Sequence, residues 1–155
     1  MTREQQVVVE RVDEYSDDIA EAIGRLMPFL SKRSNGEPIP EEVLRKIIES
    51  PDREQFVARL EGRIVGSAVL NTIVGNLHQK AWLEDFVTDS EVRGQGIGDK
   101  IWQDMITWCQ EKGLKVLDFT SGIERTDEHS FYIAHGAQQR QSIAYRMEIP
   151  EGERG

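Results

Sequence analysis

The sequence predicts an α/β (α+β) domain in which a mixed, mostly antiparallel sheet is flanked by helices. Three observations support this: a valine-rich opening segment, three consecutive strand-like segments in mid-chain, and amphipathic helical stretches on either side of them. The chain has 155 residues, of which 38% are hydrophobic and 30% charged, and this size suits one globular domain. We therefore expect a single domain over residues 1–150 and a short tail over residues 151–155.

The elements are predicted in the order β-α-α-β-β-β-α-β-α-β. The valines of residues 5–13 favour an opening strand, because β-branched side chains suit extended backbone. Ser16 is a cap signal for a first helix over residues 16–31, and apolar residues at helical spacing predict a second over residues 41–50. The segment between them, "KRSNGEPIP", contains a glycine and two prolines, so we expect a loop there.

The middle of the chain predicts an antiparallel meander followed by a long helix. Residues 55–74 read as a hairpin that turns at Glu61–Gly62, and residues 80–89 read as the next strand. Apolar residues at helical spacing then mark a helix from Gly96 to about Lys112, ended by Gly113. The remaining elements are a strand over 114–121, a short helix over 126–135 capped by Thr126 or Asp127, and a terminal strand or strand pair over 137–149.

The charge balance argues against nucleic acid as a partner. Acidic residues outnumber basic ones by 28 to 19, which gives a formal charge of -9, and no Lys/Arg run could follow a phosphate backbone. A surface of this sign attracts cations. An amine-bearing substrate fits it.

The sequence contains one cysteine and no segment that suggests export or a membrane span. Cys109 alone cannot form an internal disulfide, and its place among apolar helix positions predicts a buried, unreactive thiol. No N-terminal apolar stretch or run of about 18 hydrophobic residues is present. We therefore expect a cytoplasmic protein with no membrane partner, and the size leaves a homodimer open.

No metal site is expected, because the three histidines lack ligand spacing. His129 has no cysteine or second histidine near it, and only His78 and His135 accompany it in the chain. Trp102 and Trp108 lie six residues apart on the long predicted helix, and we expect them to pack in or at the edge of the core.

The stretch "DSEVRGQGIGDK", residues 89–100, places three alternate glycines at the start of the long helix. A Rossmann fingerprint fails in both frames, because Asp99 or Ile101 stands where its third glycine belongs. A P-loop also fails, because Asp99 follows the last glycine. A helix start without side chains can point free backbone N–H groups at an anion such as a pyrophosphate. The alternative is that the glycines serve only a tight turn or close packing.

The run Arg93-x-x-Gly96-x-Gly98, between a strand and a long helix, resembles the acetyl-CoA-binding motif of the GCN5-related N-acetyltransferase (GNAT) family. The segment "EHSFYIAHGA", residues 128–137, is similar to the family's second signature, a Phe-Tyr pair on a short helix before a glycine. The predicted element order also matches that family over nearly the whole chain. The resemblance implies a sheet of about six or seven strands flanked by about four helices.

The resemblance implies that the chain binds acetyl-CoA as acyl donor. Backbone amides of the glycine loop would hold the pyrophosphate, and main-chain groups of the preceding strand would pair with the pantetheine arm. The Phe86 N–H would face the thioester carbonyl, where a fixed donor stabilises developing negative charge. The implied cofactor-binding residues are Phe86, Val87, Thr88, Arg93, Gly94, Gln95, Gly96, Ile97, Gly98 and Asp99.

Two side chains are implied as catalytic groups. Glu84 and Asp85 are adjacent acidic residues on the strand, and either could take a proton from the amine through water. The resemblance favours Glu84. Tyr132, in the Phe-Tyr pair, matches the family position that protonates the departing thiolate. Arg125 stands where many members carry an asparagine that touches the coenzyme, so this chain departs from the family pattern at that position.

The sequence indicates the acceptor site less clearly than the coenzyme site. The resemblance places the acceptor among three variable segments, residues 31–40, 75–80 and 138–146. A small primary amine is our first hypothesis, and acetylation of a protein N-terminus or lysine is the second. A non-catalytic acyl-CoA-binding module would keep the glycine loop but need neither acid nor base.

Overall fold

The structure, a computed structural model, describes residues 6–152; Gln5, the first residue of the predicted opening strand, and the last three residues of the tail lie outside this range. The described residues fall into two compact units, 6–119 and 120–152. The strands are β1 (Val7–Arg11), β2 (Arg53–Leu60), β3 (Arg63–Val74), β4 (Gln79–Thr88) and β5 (Leu117–Asp118), and the helices are α1 (Asp17–Leu26), α2 (Glu41–Ile48), α3 (Ile97–Glu111) and α4 (Thr126–Ala134).

The first unit contains a mixed sheet in the order β1-β2-β3-β4-β5. The first four strands are antiparallel neighbours, and β5 runs parallel to β4. The predicted fold class and the meander of β2, β3 and β4 are confirmed. The sheet has five strands in the described part of the chain, slightly fewer than the six or seven expected.

The shortfall comes from the C-terminal end of the chain. Residues 137–152 form neither helix nor strand, so the terminal strand predicted over residues 137–149 is wrong for this structure. The pattern behind that prediction is present, because Ile143, Tyr145, Met147 and Ile149 alternate, but these side chains are 76% to 89% exposed. Alternation gives a segment an apolar face, whereas a strand also requires a backbone partner for its hydrogen bonds.

Helices cover both faces of the sheet in the first unit. Val57 pairs with Ser67 across β2 and β3 and belongs to a buried cluster with residues of α1 and α2. Gly66, the neighbour of Ser67, points the other way, since a Cβ there would lie 2.7 Å from Ile101 Cδ1 of α3. The helices α1 and α2 therefore cover one face and α3 the other, and we call these the α1/α2 face and the α3 face.

Most of the local signals in the sequence are confirmed. Ser16 Oγ caps α1 by accepting from the Ile19 N–H at 3.2 Å. Glu61 and Gly62 both have positive φ, 53° and 79°, as a tight two-residue hairpin turn requires. The predicted cap of α4 is wrong, because Arg125 occupies the N-cap position and makes no side-chain cap bond. Within residues 6–152, no helix is both long and apolar enough to cross a membrane.

Gly24 holds the loop between α1 and α2 close to α1. A Cβ at this position would lie 2.1 Å from the Glu37 carbonyl oxygen and 2.9 Å from Pro38 Cα. The Ile39 N–H also donates to the Ala20 carbonyl at 3.1 Å. Only a residue without a side chain lets this backbone approach so closely.

Gly24→Ala is therefore expected to destabilise the protein, although the same change in an open helix stabilises by up to about 1 kcal/mol. Overpacking against backbone costs about 1–3 kcal/mol, and this effect should dominate. Urea denaturation measures the free energy of unfolding. Glu21→Ala, at an exposed position of the same helix, is the control and should change stability by less than about 0.5 kcal/mol. A stabilised Gly24→Ala variant would contradict the close approach.

Candidate functional site: a split sheet edge and an open helix start

The strand β5 is much shorter than β4 and pairs with it over two residues only. They pair at Ala81–Leu117 and Trp82–Asp118, whereas β4 continues to Thr88. We call the stretch beside residues 83–88 of β4, along which β5 does not extend, the wedge. Such a wedge can admit an extended ligand, whose amides pair with the strand as another strand would.

A β-bulge interrupts β4 at the start of the wedge. Val69 of β3 faces Glu84 and Ser67 faces Val87, so Asp85 and Phe86 together lie opposite Ala68. Asp85 takes the extra position with φ 51°, in the left-handed region. Bulges of this kind redirect the residues that follow them. Val87 consequently packs in the α1/α2 cluster, whereas Phe86 packs against α3.

Aromatic side chains form the floor between β4 and β5. The ring centroid of Trp102 on α3 lies 6.4 Å from that of Phe86 and 6.0 Å from that of Phe119, just after β5. Trp102 is buried, as expected from its helical spacing. One side chain of α3 therefore contacts the two sides of the opening, and tilted or edge-on packing of this kind adds about 0.5–1.5 kcal/mol per pair.

The glycine loop ends at an open helix start. Gly94 and Gly96 have φ of 82° and 74°, and Gly96 is the N-cap of α3. A Cβ at either position would meet nothing within 4 Å, so close packing does not explain these two glycines. The left-handed backbone does explain them, because most side chains disfavour it.

Five consecutive amides of this loop are available to a ligand. No hydrogen bond of normal geometry within residues 6–152 has the backbone N–H of Gly94, Gln95, Gly96, Ile97 or Gly98 as its donor. The positive end of the α3 dipole adds to their field. Arg93, directly before them, is exposed. A loop of this kind at a helix N-terminus can bind an anion, and it follows β4 in the chain after a short 3-10 turn over Ser90–Val92.

Glu84 lines an open cavity on the α1/α2 face. Its Oε1 accepts from Trp82 Nε1–H at 2.7 Å. The cavity has a volume of about 480 Å³, which is in the range of small-molecule sites. Its lining is mostly polar: Ser50, Asp52, Arg53, Asn71, Thr72, Ile73, Trp82 and Glu84.

Asp85 has different surroundings from Glu84. Partial burial raises the pKa of its carboxyl, and the neighbouring charge of Glu84 adds to this rise. No side chain within residues 6–152 donates a hydrogen bond to it or pairs with it. The two adjacent carboxylates thus differ: Glu84 accepts a hydrogen bond from an indole, whereas Asp85 has no side-chain donor within residues 6–152.

Tyr132 belongs to the second unit, on α4. Its ring packs edge-on against Phe131, with centroids 5.8 Å apart. Burial raises the pKa of the Tyr132 hydroxyl, and Glu128 adds to the rise while Arg125 opposes it. Arg125 itself pairs with Glu128 at 3.4 Å. The hydroxyl therefore stays protonated at neutral pH and can act as a proton donor.

Other conspicuous residues have structural surroundings. Cys109 is buried, and burial raises the pKa of its thiol, so it lacks the character of a nucleophile. His129 Nε2 lies 2.8 Å from the Gly122 carbonyl oxygen. Among the described residues, no group of three or more His, Cys, Asp or Glu side chains is arranged to hold a metal ion.

The cavity contains residues that the sequence did not single out. Asp52 and Asn71 come from segments that no motif marks, and only the strand register brings them beside Glu84. Trp82 could have been found, because residues two apart on a strand share a face. Of the three segments expected at the acceptor, 31–40 and 75–80 lie in the first unit and 138–146 in the second.

Comparisons with known proteins give a consistent assignment. Residues 21–137 match the model of the Acetyltransferase (GNAT) family. An aminoalkylphosphonate N-acetyltransferase of Salmonella typhimurium is 27% identical over 96 residues, 57% of this chain and 59% of the relative. The uncharacterized N-acetyltransferase YhdJ of Bacillus subtilis is 33% identical over 51 residues, 33% of this chain and 36% of the relative. The matches thus span about a third to three fifths of these curated relatives.

Solved structures share the fold at low sequence identity. An aminoglycoside acetyltransferase, meta-AAC0020, from an uncultured soil metagenomic sample has a TM-score of 0.81 at 22% identity, covering 93% of this chain and 97% of that one, in its complex with sisomicin. AAC(6')-Iy in complex with a bisubstrate analog has a TM-score of 0.74 at 16% identity, covering 93% and 99%. The family match spans most of the chain and agrees with the split sheet and the glycine loop, so the chain belongs to the GNAT family of acetyltransferases.

Proposed function

We propose that this protein is an acetyl-CoA-dependent N-acetyltransferase that acetylates a primary amine of a small molecule by direct attack in a ternary complex. The row of open amides from Gly94 to Gly98, at the start of α3, is the observation that carries the proposal. The family match and the name of the aminoalkylphosphonate N-acetyltransferase support the same activity.

The residues around the wedge fit acetyl-CoA. The amides of Gln95 to Asp99, with Arg93 beside them, would hold the pyrophosphate through charge-assisted hydrogen bonds. The main chain of Phe86 to Thr88 lies where β4 has left β5, so it would pair with the pantetheine arm. The Val87 side chain is buried, and we therefore assign this residue a main-chain role. The bound donor supplies a thioester, which an amine can attack.

Two side chains of the protein would move protons. Glu84 lines the cavity, and its carboxylate would take a proton from the acceptor's ammonium group, directly or through water, so that the neutral amine can attack the thioester carbon. Tyr132 would give its proton to the departing thiolate, and its raised pKa keeps that proton in place at neutral pH. The backbone N–H of Phe86 would stabilise the charge that develops on the carbonyl oxygen.

The cavity beside Glu84 favours a small, polar, cationic acceptor. Asp52 and Glu84 supply negative charge, and Ser50, Asn71 and Thr72 supply neutral hydrogen-bonding groups. A volume of about 480 Å³ suits an amino sugar, a polyamine, an aminoalkylphosphonate or an amino acid better than a folded protein surface. Arg53 also lines the cavity, although its Nη1 donates to the Lys46 carbonyl at 3.3 Å.

An amine panel tests the proposal. The purified protein is incubated with acetyl-CoA and, in separate reactions, with an amino sugar, a polyamine, an aminoalkylphosphonate or an amino acid. The release of free coenzyme A is followed. A lysine-containing peptide serves as the comparison for protein acetylation. Turnover of at least one small amine is the expected result. Binding of acetyl-CoA without turnover of any amine would instead favour a non-catalytic acyl-CoA-binding module.

Tyr132→Phe tests the proton donor. We expect kcat to fall about tenfold to a hundredfold, because general-acid catalysis contributes at least about a hundredfold in many enzymes but a thiolate leaves more easily than most groups. The affinity for acetyl-CoA should stay unchanged, since the hydroxyl alone is removed. Steady-state kinetics and calorimetric titration measure the two quantities. Unchanged kcat would remove Tyr132 from the mechanism.

A further inference from the structure

Lys80, Trp82 and Glu84 form a row on one face of β4, which we call the β4 row. Residues two apart on a strand point to the same side, and these three precede the bulge at Asp85. The row ends where β4 and β5 separate, because Trp82–Asp118 is their last paired position. It therefore lies at the entrance of the wedge.

The indole of Trp82 holds the Glu84 carboxylate. Trp82 Nε1–H donates to Glu84 Oε1 at 2.7 Å, a length typical of a hydrogen bond to a charged group. Glu84 is exposed, and within residues 6–152 Trp82 is the side-chain partner of its carboxylate. An exposed glutamate without a partner samples several rotamers, so this bond selects one of them. It occupies Oε1 and leaves Oε2 for an amine or a water molecule.

Trp82 is itself fixed from the other side. Lys80 Nζ lies 5.8 Å from the centroid of the indole and 2.9 Å from Asp118 Oδ2. The side chains of this ion pair are only 21% and 14% exposed, and the pair links the end of β5 to β4. Asn71 Nδ2 also donates to the Trp82 carbonyl at 3.4 Å. The indole of Trp82 thus lies near the ammonium of Lys80, and its N–H donates to the Glu84 carboxylate.

We propose that Trp82 is a positioning residue for Glu84: its indole N–H holds one carboxylate oxygen so that the other can take the proton of the amine. This inference rests on the proposed function, in which Glu84 is the base. It assigns a role to a residue that no motif marks. A displacement of about 1 Å in a reacting group can cost about a hundredfold in rate, so a contact that keeps the carboxylate in one orientation should raise the rate.

A double-mutant cycle tests the role. Trp82→Phe keeps an aromatic ring but removes the N–H, and we expect kcat to fall about tenfold with little change in the KM for acetyl-CoA. In a Glu84→Gln background the same change should cost less than about twofold, because the group that Trp82 positions no longer acts as a base. An equal loss in both backgrounds would overturn the proposal.

An NMR measurement tests the contact without activity. The chain has three tryptophans, so the ¹⁵N-labelled protein gives three indole signals. Glu84→Ala should move one of them upfield by removing its acceptor, and that signal should be the one missing from Trp82→Phe. If no indole signal moves, the contact is absent in solution and the proposal fails even where the enzyme is active. If the contact is present but the wild type turns over no amine, the proposed function fails and the positioning role falls with it.

Discussion

Gly96→Asp is expected to weaken acetyl-CoA binding by about a hundredfold, whereas Gly96→Asn should preserve most of it. A carboxylate about 5 Å from a pyrophosphate is repelled by about 3 kcal/mol at an effective dielectric constant near 20, which corresponds to about two orders of magnitude in the dissociation constant. There is room for either side chain, since a Cβ at Gly96 meets nothing within 4 Å. Calorimetric titration of acetyl-CoA into each variant measures the effect.

Asparagine is the matched control because it has nearly the same shape as aspartate. Gly96 has φ 74°, and asparagine and aspartate are among the side chains that best tolerate that region. The backbone strain is therefore nearly equal in the two variants, and the difference between them isolates the charge. Raising the salt concentration should reduce the difference between the two dissociation constants, because salt screens the repulsion by the aspartate. Equal affinities would mean that no anion binds at the start of α3.

Glu84→Gln is expected to lower kcat by about a hundredfold to ten-thousandfold, the range of a general base, with little change in acetyl-CoA affinity. Glutamine has the same size, and its side-chain oxygen can still accept from Trp82 Nε1–H. The packing of the β4 row is therefore retained while the ability to take a proton is lost. Steady-state kinetics with the best amine of the panel gives kcat and both KM values.

Asp85→Asn is the control for Glu84→Gln, because it neutralises the adjacent carboxylate. The raised pKa of Asp85 makes it the natural rival, since a base is most effective when its pKa approaches the working pH. The cavity is lined by Glu84, and we therefore expect Asp85→Asn to keep kcat within about threefold. The reverse result, with the larger loss in Asp85→Asn, would transfer the role of base to Asp85.

The sequence predicted where the glycine loop and the start of α3 lie, because the backbone conformation at those positions favours glycine. Positive φ at Gly94 and Gly96 is a backbone requirement that glycine meets at low cost, and the helix that follows is strongly patterned. The hairpin turn at Glu61–Gly62 and the Ser16 cap were predictable for similar reasons. Each depends only on residues within a few positions of one another.

Features that depend on distant residues were not predictable in this way. The bulge depends on how β3 is aligned with β4. No residue type marks it in the sequence, since the residue at the bulge, Asp85, is not a glycine. The cavity combines Asp52, in the turn before β2, with Asn71 of β3 and Glu84 of β4. The alternating residues after 137 predicted a strand wrongly, because their pattern says nothing about a pairing partner. The roles of Glu84 and Tyr132 and the single domain over residues 1–150 stay predictions.

The extra residue in β4 changes whether even-numbered or odd-numbered residues of the strand face the α1/α2 side. Before Asp85 the even-numbered residues face the α1/α2 side, and after it the odd-numbered Val87 does so. One strand can therefore serve two purposes under the proposed function: side chains of its first half would line the acceptor site, while those of its second half pack against the helices and its main chain would pair with the donor. The cavity residues outside the β4 row, such as Asp52 and Asn71, could consequently change and alter acceptor preference without altering the half of the strand that would pair with acetyl-CoA.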